Sequence, residues 1–151
     1  MLPIEQDETL NSIYALHPEC MEILQVYPGY YAKIGFVKPW IGYFASMDGQ
    51  VIIGAGGFKG KPINKKVEIA YSTFKEYEGQ GISKEICTLL VELSLKTDST
   101  LIITARTLEN KNSSASILKH CGFSCKGTVQ DEEDGTVWEW VYTRPRKESE
   151  Q

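Results

Sequence analysis

The chain has no apolar run approaching 18 residues, and its first residues lack the basic and apolar regions of a signal peptide. We therefore expect a cytoplasmic protein that does not enter the membrane. The chain also has no excess of basic residues, because 16 Lys and Arg face 20 Asp and Glu, for a net charge of −4. A chain of this charge lacks the positive surface that binds nucleic acid or anionic lipid, so neither is expected as a partner.

Cysteine and histidine are scarce, at four and two of 151 residues. Without a secretion signal, the four cysteines are expected to be reduced thiols, with Cys87 in the core. Cys121 and Cys125 lie near His120, but the spacing is CxxxC and no second pair of ligands follows. The sequence therefore predicts no metal site.

Core material is abundant, because 42% of the residues are hydrophobic and 11% are aromatic. A chain of 151 residues with this composition fits one domain. We expect that domain over residues 1–143, followed by a polar tail at residues 144–151 that frays.

The spacing of apolar residues predicts the order of the secondary structure elements. Residues 7–27 favour two short helical pieces, broken at His17-Pro18 and ended by Pro28-Gly29. The apolar runs 41–47 and 51–58 flank Asp48-Gly49, which indicates an antiparallel hairpin. Further strands are predicted at 67–74, 101–104, 123–129 and 137–142, and further helices at 82–96 and 113–121.

Alternation of strands and helices in the middle of the chain implies at least one parallel pair of strands. The flanking hairpins are antiparallel, so the pattern predicts a mixed sheet covered by helices, of the α/β (α+β) class.

The segment Tyr77-Glu-Gly-Gln-Gly-Ile-Ser-Lys84 lies between a predicted strand and an amphipathic helix. Its two glycines allow a tight turn that aims several amide N–H groups at one point, beside the positive end of the helix dipole. Such a turn is typical of an anion site, although two glycines can also simply connect a strand to a helix.

Other glycine-rich signatures do not fit. In the run Gly54-Ala-Gly-Gly-Phe-Lys-Gly-Lys-Pro62, a proline stands where a P-loop needs Ser or Thr. Lys59 occupies the third glycine position of a dinucleotide-binding turn. Glu85 replaces the last glycine of a nucleophile elbow. ATPase, Rossmann and hydrolase signatures are therefore excluded.

In their order along the chain, several short motifs resemble the GNAT superfamily of acyl-coenzyme A dependent N-acyltransferases. The branch that they resemble most is that of the ribosomal-protein-alanine acetyltransferases. The resemblance runs from about residue 51 to residue 142. The motifs are Val51-Ile-Ile-Gly54, Gly57-Phe-Lys-Gly60, Val67-Glu-Ile-Ala-Tyr71, Glu76-Tyr-Glu-Gly-Gln-Gly-Ile-Ser83, Asn112-Ser-Ser114 and Leu118-Lys-His-Cys-Gly-Phe123.

The resemblance implies a mixed, mostly antiparallel sheet of six to seven strands, flanked by about four helices. It also implies a splay between the fourth and fifth strands, where the pantetheine arm of acetyl-CoA inserts. The backbone that pairs with the arm, and polarises its carbonyl, would be that of Tyr71, Ser72 and Thr73. Dimers are common in this superfamily, so by analogy a homodimer is left open.

The family's pyrophosphate loop, [QR]xxGx[GA], maps onto residues 78–83 of this sequence. The backbone of Gly79, Gln80, Gly81, Ile82 and Ser83 is therefore expected to cradle the diphosphate. Glu78 departs from the pattern and is expected to point to solvent, because a carboxylate about 4 Å from a phosphate costs ~1 kcal/mol even in water. Lys84 is either a replacement for the missing cation or a solvated lysine.

The resemblance also places residues of the following helix against the cofactor. Lys111 stands at the family's asparagine position, and of its two neighbours we choose Asn112 over Asn110. Ser114 falls at the family's serine position, and either Ser113 or Ser114 could instead cap the helix. Leu118 stands where many GNAT enzymes carry a tyrosine that protonates the departing thiolate. It is expected to pack against the cofactor.

The implied activity is transfer of an acetyl group from acetyl-CoA to a primary amine, whether of a small molecule or of a protein N-terminus. A protonated amine needs a base, and Glu68 matches the family's glutamate on the fourth strand. The departures at Glu78 and Leu118 leave open a non-catalytic acyl-CoA sensor or scaffold. An acyltransferase for longer acyl groups also stays open.

Overall fold

A computed structural model describes residues 1–14, 18–109 and 112–143, except for the side chain of Asn112. Seven strands form one sheet in the order β1-β2-β3-β4-β5-β7-β6. The strands are β1 (Leu2–Pro3), β2 (Gly42–Ser46), β3 (Ile52–Phe58), β4 (Lys66–Thr73), β5 (Ile102–Leu108), β6 (Phe123–Asp131) and β7 (Gly135–Tyr142). Three α-helices are described, α1 (Pro18–Ile34), α2 (Ile82–Thr97) and α3 (Asn112–His120), with 3-10 turns at Glu8–Tyr14 and Lys75–Tyr77.

The pairing of the strands confirms the predicted mixed, mostly antiparallel sheet. Neighbouring strands run antiparallel except for β4 and β5, which are parallel and joined by α2. The predicted hairpin at Asp48-Gly49 joins β2 to β3. There Gly49 has a φ of 82°, and Asp48 Oδ1 accepts hydrogen bonds from the amides of Gln50 and Val51.

The core lies on both faces of the sheet. On one face α2 packs closely on β3, because Gly54 and Gly56 leave room for Ile86 and Leu90: a Cβ on Gly56 would lie 2.7 Å from Ile86. Cys87, in the same helix, is fully buried, as predicted. On the other face Tyr27 of α1 lies directly over Gly42, where a Cβ would overlap the tyrosine ring. Glycines in β2 and β3 therefore set how near both helices approach.

The prediction that Pro28-Gly29 ends the first helical region was wrong, because α1 continues through both residues to Ile34. A proline inside a helix costs about 3 kcal/mol, chiefly through a lost hydrogen bond and a steric clash. Tyr31 offsets part of this cost, since its hydroxyl donates to Ile4 O at 2.6 Å and accepts from Gly42 N at 3.0 Å. The helix ends instead at Gly35, which has a φ of 87°.

Two further boundaries differ from expectation. Strand β1 was not predicted, because two residues are too few for a periodic signal. Strand β5 continues four residues past the predicted end, since Arg106 and Thr107 interrupt its apolar pattern. Ser113 and Ser114 are the second and third residues of α3, so neither occupies its N-cap position.

Some expectations fall on parts of the chain that are not described. The break at His17, the alternative contact Asn110 and the tail at residues 144–151 lie outside the described residues. Among the helices that are described, none is long and apolar enough to cross a membrane.

Candidate functional site

The two parallel strands separate part of the way along their length. Four residue pairs join β4 to β5, from Lys66–Ile102 to Ile69–Ala105. Beyond that point β4 continues to Thr73 and β5 to Leu108, without further pairing between these two fully described strands. Over the same residues β4 stays paired with β3. A gap therefore opens on one side of β4, which confirms the predicted splay.

Backbone groups of β4 line this gap in a fixed alternation. The amide of Phe74 donates to Ile53 O, and the carbonyl of Glu68 accepts from Lys59 N. Because an antiparallel ladder alternates, the even-numbered residues of β4 bond to β3 and the odd-numbered residues face β5. The N–H and C=O groups of Tyr71 and Thr73 thus face the gap, whereas those of Ser72 face β3.

The glycine-rich turn leads from the end of β4 into α2. Gly79 and Gly81 have φ values of 80° and 78°, in the left-handed region that favours glycine. Both glycines are exposed, and a Cβ on either would meet nothing within 4 Å. The backbone conformation, rather than crowding, therefore requires glycine at these two positions.

The first turn of α2 leaves its amide N–H groups available. Gly81 precedes the 16-residue helix and provides no side-chain cap. The first helical hydrogen bond runs from Glu85 N to Gly81 O, so the amides of Ile82, Ser83 and Lys84 have no partner within the helix. Aligned N–H groups and the helix dipole favour an anion here.

Side chains around the turn differ in their placement. Ser83 Oγ lies 2.6 Å from Thr73 Oγ1, which ties α2 to the end of β4. The Ile82 side chain is buried, so only its backbone can reach a ligand. Gln80 and Lys84 are exposed, and Glu78 is exposed as expected.

Helix α3, the predicted second wall of the cofactor slot, contacts α2. Asn112 begins this helix. Ser114 is half-buried and lines a cavity of roughly 230 Å³ with Thr107 and Leu108 at the end of β5. Leu118 is fully buried in the hydrophobic core. The contacts of these three residues with a cofactor stay predictions.

A cleft of roughly 480 Å³ opens on the α1 side of the sheet. Its floor includes Ala70, Tyr71 and Ser72, the part of β4 that lies beyond the β4–β5 ladder. The gap thus connects with a cavity large enough for a small molecule. The cleft is lined by Glu22, Ile23, Val26, Tyr27, Tyr30, Ala55, Gly56, Gly57, Phe58, Ala70, Tyr71, Ser72 and Glu133.

Glu68 lies on the same face of β4 as Ala70 and Ser72, one step nearer the start of the strand. Its side chain is 18% exposed, and Oε2 lies 2.9 Å from Lys59 Nζ. Its other oxygen, Oε1, is 3.7 Å from Arg106 Nε. The predicted base is therefore ion-paired beside the cleft rather than within its lining.

Arg106 of β5 joins this carboxylate to the neighbouring strands. Its Nη1 lies 2.9 Å from Asp131 Oδ1, and its Nη2 lies 3.7 Å from Glu139 Oε2. The hydrogen bond from Arg106 lowers the pKa of Asp131 to about 2. Asp131 is therefore held by an arginine and does not point freely into solvent.

Sequence reasoning did not identify Arg106 or Lys59 as partners of Glu68. The only local signal for Arg106 is a lone cation inside an apolar strand. Lys59 comes directly after β3, whereas Glu68 lies on β4, and contacts between neighbouring strands leave no pattern along the chain.

Two tyrosines of α1 face the cleft. Burial raises the pKa of Tyr27 to about 12. Burial also raises the pKa of Tyr30, with smaller contributions from Tyr27 and from the carboxylates of Glu68 and Glu133. Both phenols are therefore neutral at pH 7, and Tyr30 lies close to two carboxylates.

Within the described part of the chain, no group of three or more His, Cys, Asp or Glu side chains could hold a metal ion.

The sequence matches the family model of the acetyltransferase (GNAT) domain over residues 6–124, well over half of the chain. The mixed sheet, the gap between β4 and β5 and the glycine-rich turn agree with this match. The chain belongs to the GNAT acetyltransferase family. No curated protein is similar enough in sequence to match it.

Solved structures share the fold at low sequence identity. The aminoglycoside acetyltransferase AAC(6')-Ib, in complex with coenzyme A and kanamycin, is 16% identical over 94% of this chain and 92% of its own, with a TM-score of 0.69. A chimera of the Vibrio cholerae spermidine N-acetyltransferase SpeG and hSSAT is 15% identical over 93% of each chain, with a TM-score of 0.67.

A ribosomal-protein-S5-alanine acetyltransferase from Vibrio fischeri is 14% identical over 84% of this chain and 72% of its own, with a TM-score of 0.61. At such identities these likenesses establish the fold alone.

Proposed function

We propose that the protein is an N-acetyltransferase that moves an acetyl group from acetyl-CoA to a primary amine. One observation carries the proposal: the gap between β4 and β5 links an exposed glycine-rich turn, at the start of α2, to a cleft on the opposite face of the sheet. A long thioester fits this arrangement, with its diphosphate at the turn and its acyl end at the cleft.

The turn and β4 would hold the donor through backbone groups. The amides from Gly79 to Ser83 converge on the diphosphate, and Lys84 adds the nearest positive charge of the helix. The gap-facing groups of Tyr71 and Thr73 would pair with the arm and donate to the thioester oxygen. Ser114 and Asn112 on α3 would contact the donor from the other side.

The amine would enter through the cleft and attack the thioester carbonyl carbon, so that the C–N bond forms and the C–S bond breaks. Glu68 would accept the proton that the amine must lose, directly or through a water molecule. The departing thiolate would take a proton from water or from a neutral phenol that lines the cleft, such as that of Tyr30.

Thiol release from acetyl-CoA in the presence of an amine panel tests the proposal. Glu68→Gln should lower kcat/KM about 100-fold or more, the range typical of a lost general base. The affinity for CoA should stay unchanged. Glu92→Gln, an exposed carboxylate of α2, is the matched control and should retain full activity.

Tight binding of CoA without turnover on any amine would contradict the enzyme and favour the non-catalytic sensor, which the comparisons do not favour. Faster turnover with a longer acyl thioester than with acetyl-CoA would contradict the choice of donor.

A further inference from the structure

The cleft has a floor of small residues. Ala55 pairs with Ser72 across β3 and β4, and Gly57 pairs with Ala70. Directly paired residues of an antiparallel ladder share a face, and all four residues line the cleft. Because none of them has a side chain larger than a hydroxymethyl group, the sheet leaves depth beneath α1 for a bulky group.

The walls of the cleft are largely apolar and aromatic. Helix α1 contributes four uncharged side chains, two of them tyrosines. Among the described lining residues none is a lysine, an arginine or a histidine. The uncharged α1 side chains of the lining are Ile23, Val26, Tyr27 and Tyr30.

Two carboxylates complete the lining from opposite sides. Glu22 belongs to α1, and Glu133 belongs to the turn between β6 and β7. Neither makes an ion pair with a cation among the described residues. Glu132, the neighbour of Glu133 in the sequence, does pair with Lys33, at 2.9 Å. The charge of the cleft that no ion pair neutralises is therefore negative, and it resides on these two carboxylates.

We infer that the acceptor is a primary amine carried by one apolar body of about the size of an aromatic ring. The inference rests on the proposed function. An apolar body gains free energy by leaving water for this lining, and its single ammonium group would pair with Glu133, whose carboxylate lies near Tyr30. Spermidine and kanamycin, which the names of two structural relatives mention, carry more ammonium groups than the cleft has unpaired carboxylates, so some of these groups would be buried without partners.

Calorimetric titration of the full chain, saturated with free CoA so that no transfer occurs, tests this inference. The probes are 2-phenylethylamine, ethanolamine, spermidine and kanamycin. We expect 2-phenylethylamine to bind at least tenfold more tightly than each of the other three. Equal or tighter binding of any of those three would overturn the inference.

Two variants test where the probe binds. Ala70→Leu fills the floor and should weaken binding of 2-phenylethylamine at least tenfold, while Ala32→Leu, on the exposed side of α1, should have no effect. Glu133→Gln should weaken binding of both 2-phenylethylamine and ethanolamine about threefold, with unchanged CoA affinity. If 2-phenylethylamine binds equally well to the Ala70 and Glu133 variants and to the unaltered chain, the cleft is not its site and the inference fails.

The proposed function has a separate readout. Acetylation of spermidine or kanamycin in preference to 2-phenylethylamine would overturn the inference and leave the N-acetyltransferase standing. Selective binding of 2-phenylethylamine without turnover from acetyl-CoA would support the acceptor class and contradict the enzyme.

Discussion

Arg106 holds the charged side of the site together. Its guanidinium reaches Glu68 on β4, Glu139 on β7 and Asp131 at the end of β6. One cation thus fixes the proposed base relative to the hairpin that covers the cleft. An arginine suits this position because its planar group offers five donors in fixed directions.

Asp131→Asn should lower the free energy of unfolding at pH 7 by roughly 1 kcal/mol, because the charged hydrogen bond to Arg106 is lost. The pKa of Asp131 is about 2 in the folded chain, against about 3.9 for an unfolded aspartate. A depressed pKa stabilises the fold above pH 4, and that stabilisation disappears as the pH falls towards 2.

Urea unfolding at several pH values measures this effect. The difference in stability between the unaltered chain and Asp131→Asn should be full at pH 5 to 7 and shrink between pH 4 and pH 2. A difference that does not vary with pH would contradict the ion pair.

Single residues of the site could be predicted from the sequence only where the signal is local. The two glycines, Glu68 and the end of β4 lie within 14 consecutive residues and carry recognisable spacing. Lys59, Arg106 and Tyr30 come from three other parts of the chain, and only folding brings them near Glu68.

At the scale of elements, the turn between β4 and α2 combines two tasks. It reverses the chain, and it leaves the first amides of α2 uncapped. If the turn only reversed the chain, any residues able to adopt the same backbone conformation could replace its two glycines. The two tasks can be tested separately by substituting one glycine of this turn and one glycine of equal φ elsewhere in the chain.

Gly81→Ala and Gly49→Ala form a matched pair, because both glycines have φ near 80° and space for a Cβ. Each variant should lose about 1–2 kcal/mol of stability through backbone strain. Only Gly81→Ala should also weaken CoA binding, by tenfold or more, since Gly49 lies in the β2–β3 hairpin. Equal CoA affinity of the two variants would count against the cradle.

Helix α1 gives a second prediction at this scale. Pro28→Ala should raise the free energy of unfolding by about 1 kcal/mol or more, because an N–H to the carbonyl of Leu24 is restored. Pro62→Ala, in a loop, serves as the control and should not stabilise the chain. Thermal and urea unfolding would both report the change, and a destabilised Pro28 variant would contradict it.

The same helix shows why its end could not be predicted locally. Pro28-Gly29 is a strong helix terminator by propensity, but the contacts of Tyr27 and Tyr31 with β2 hold the helix across it. Such contacts join residues more than ten positions apart, and propensity does not include them.

In the whole molecule, the proposed path of the reaction crosses the sheet. The glycine-rich turn lies at the start of α2 on one face, and the cleft lies beneath α1 on the other. The departure of β4 from β5 provides the passage between the two faces. Topology of this kind could be predicted from the order of the elements, whereas the shape and lining of the cleft depend on packing.

The most direct test is a crystal structure of the chain with CoA bound. The account predicts diphosphate oxygens within hydrogen-bonding distance of the amides between Gly79 and Ser83, and the arm between β4 and β5 against Tyr71 and Thr73. Binding of CoA elsewhere, or strands β4 and β5 paired along their full length in the complex, would contradict the account.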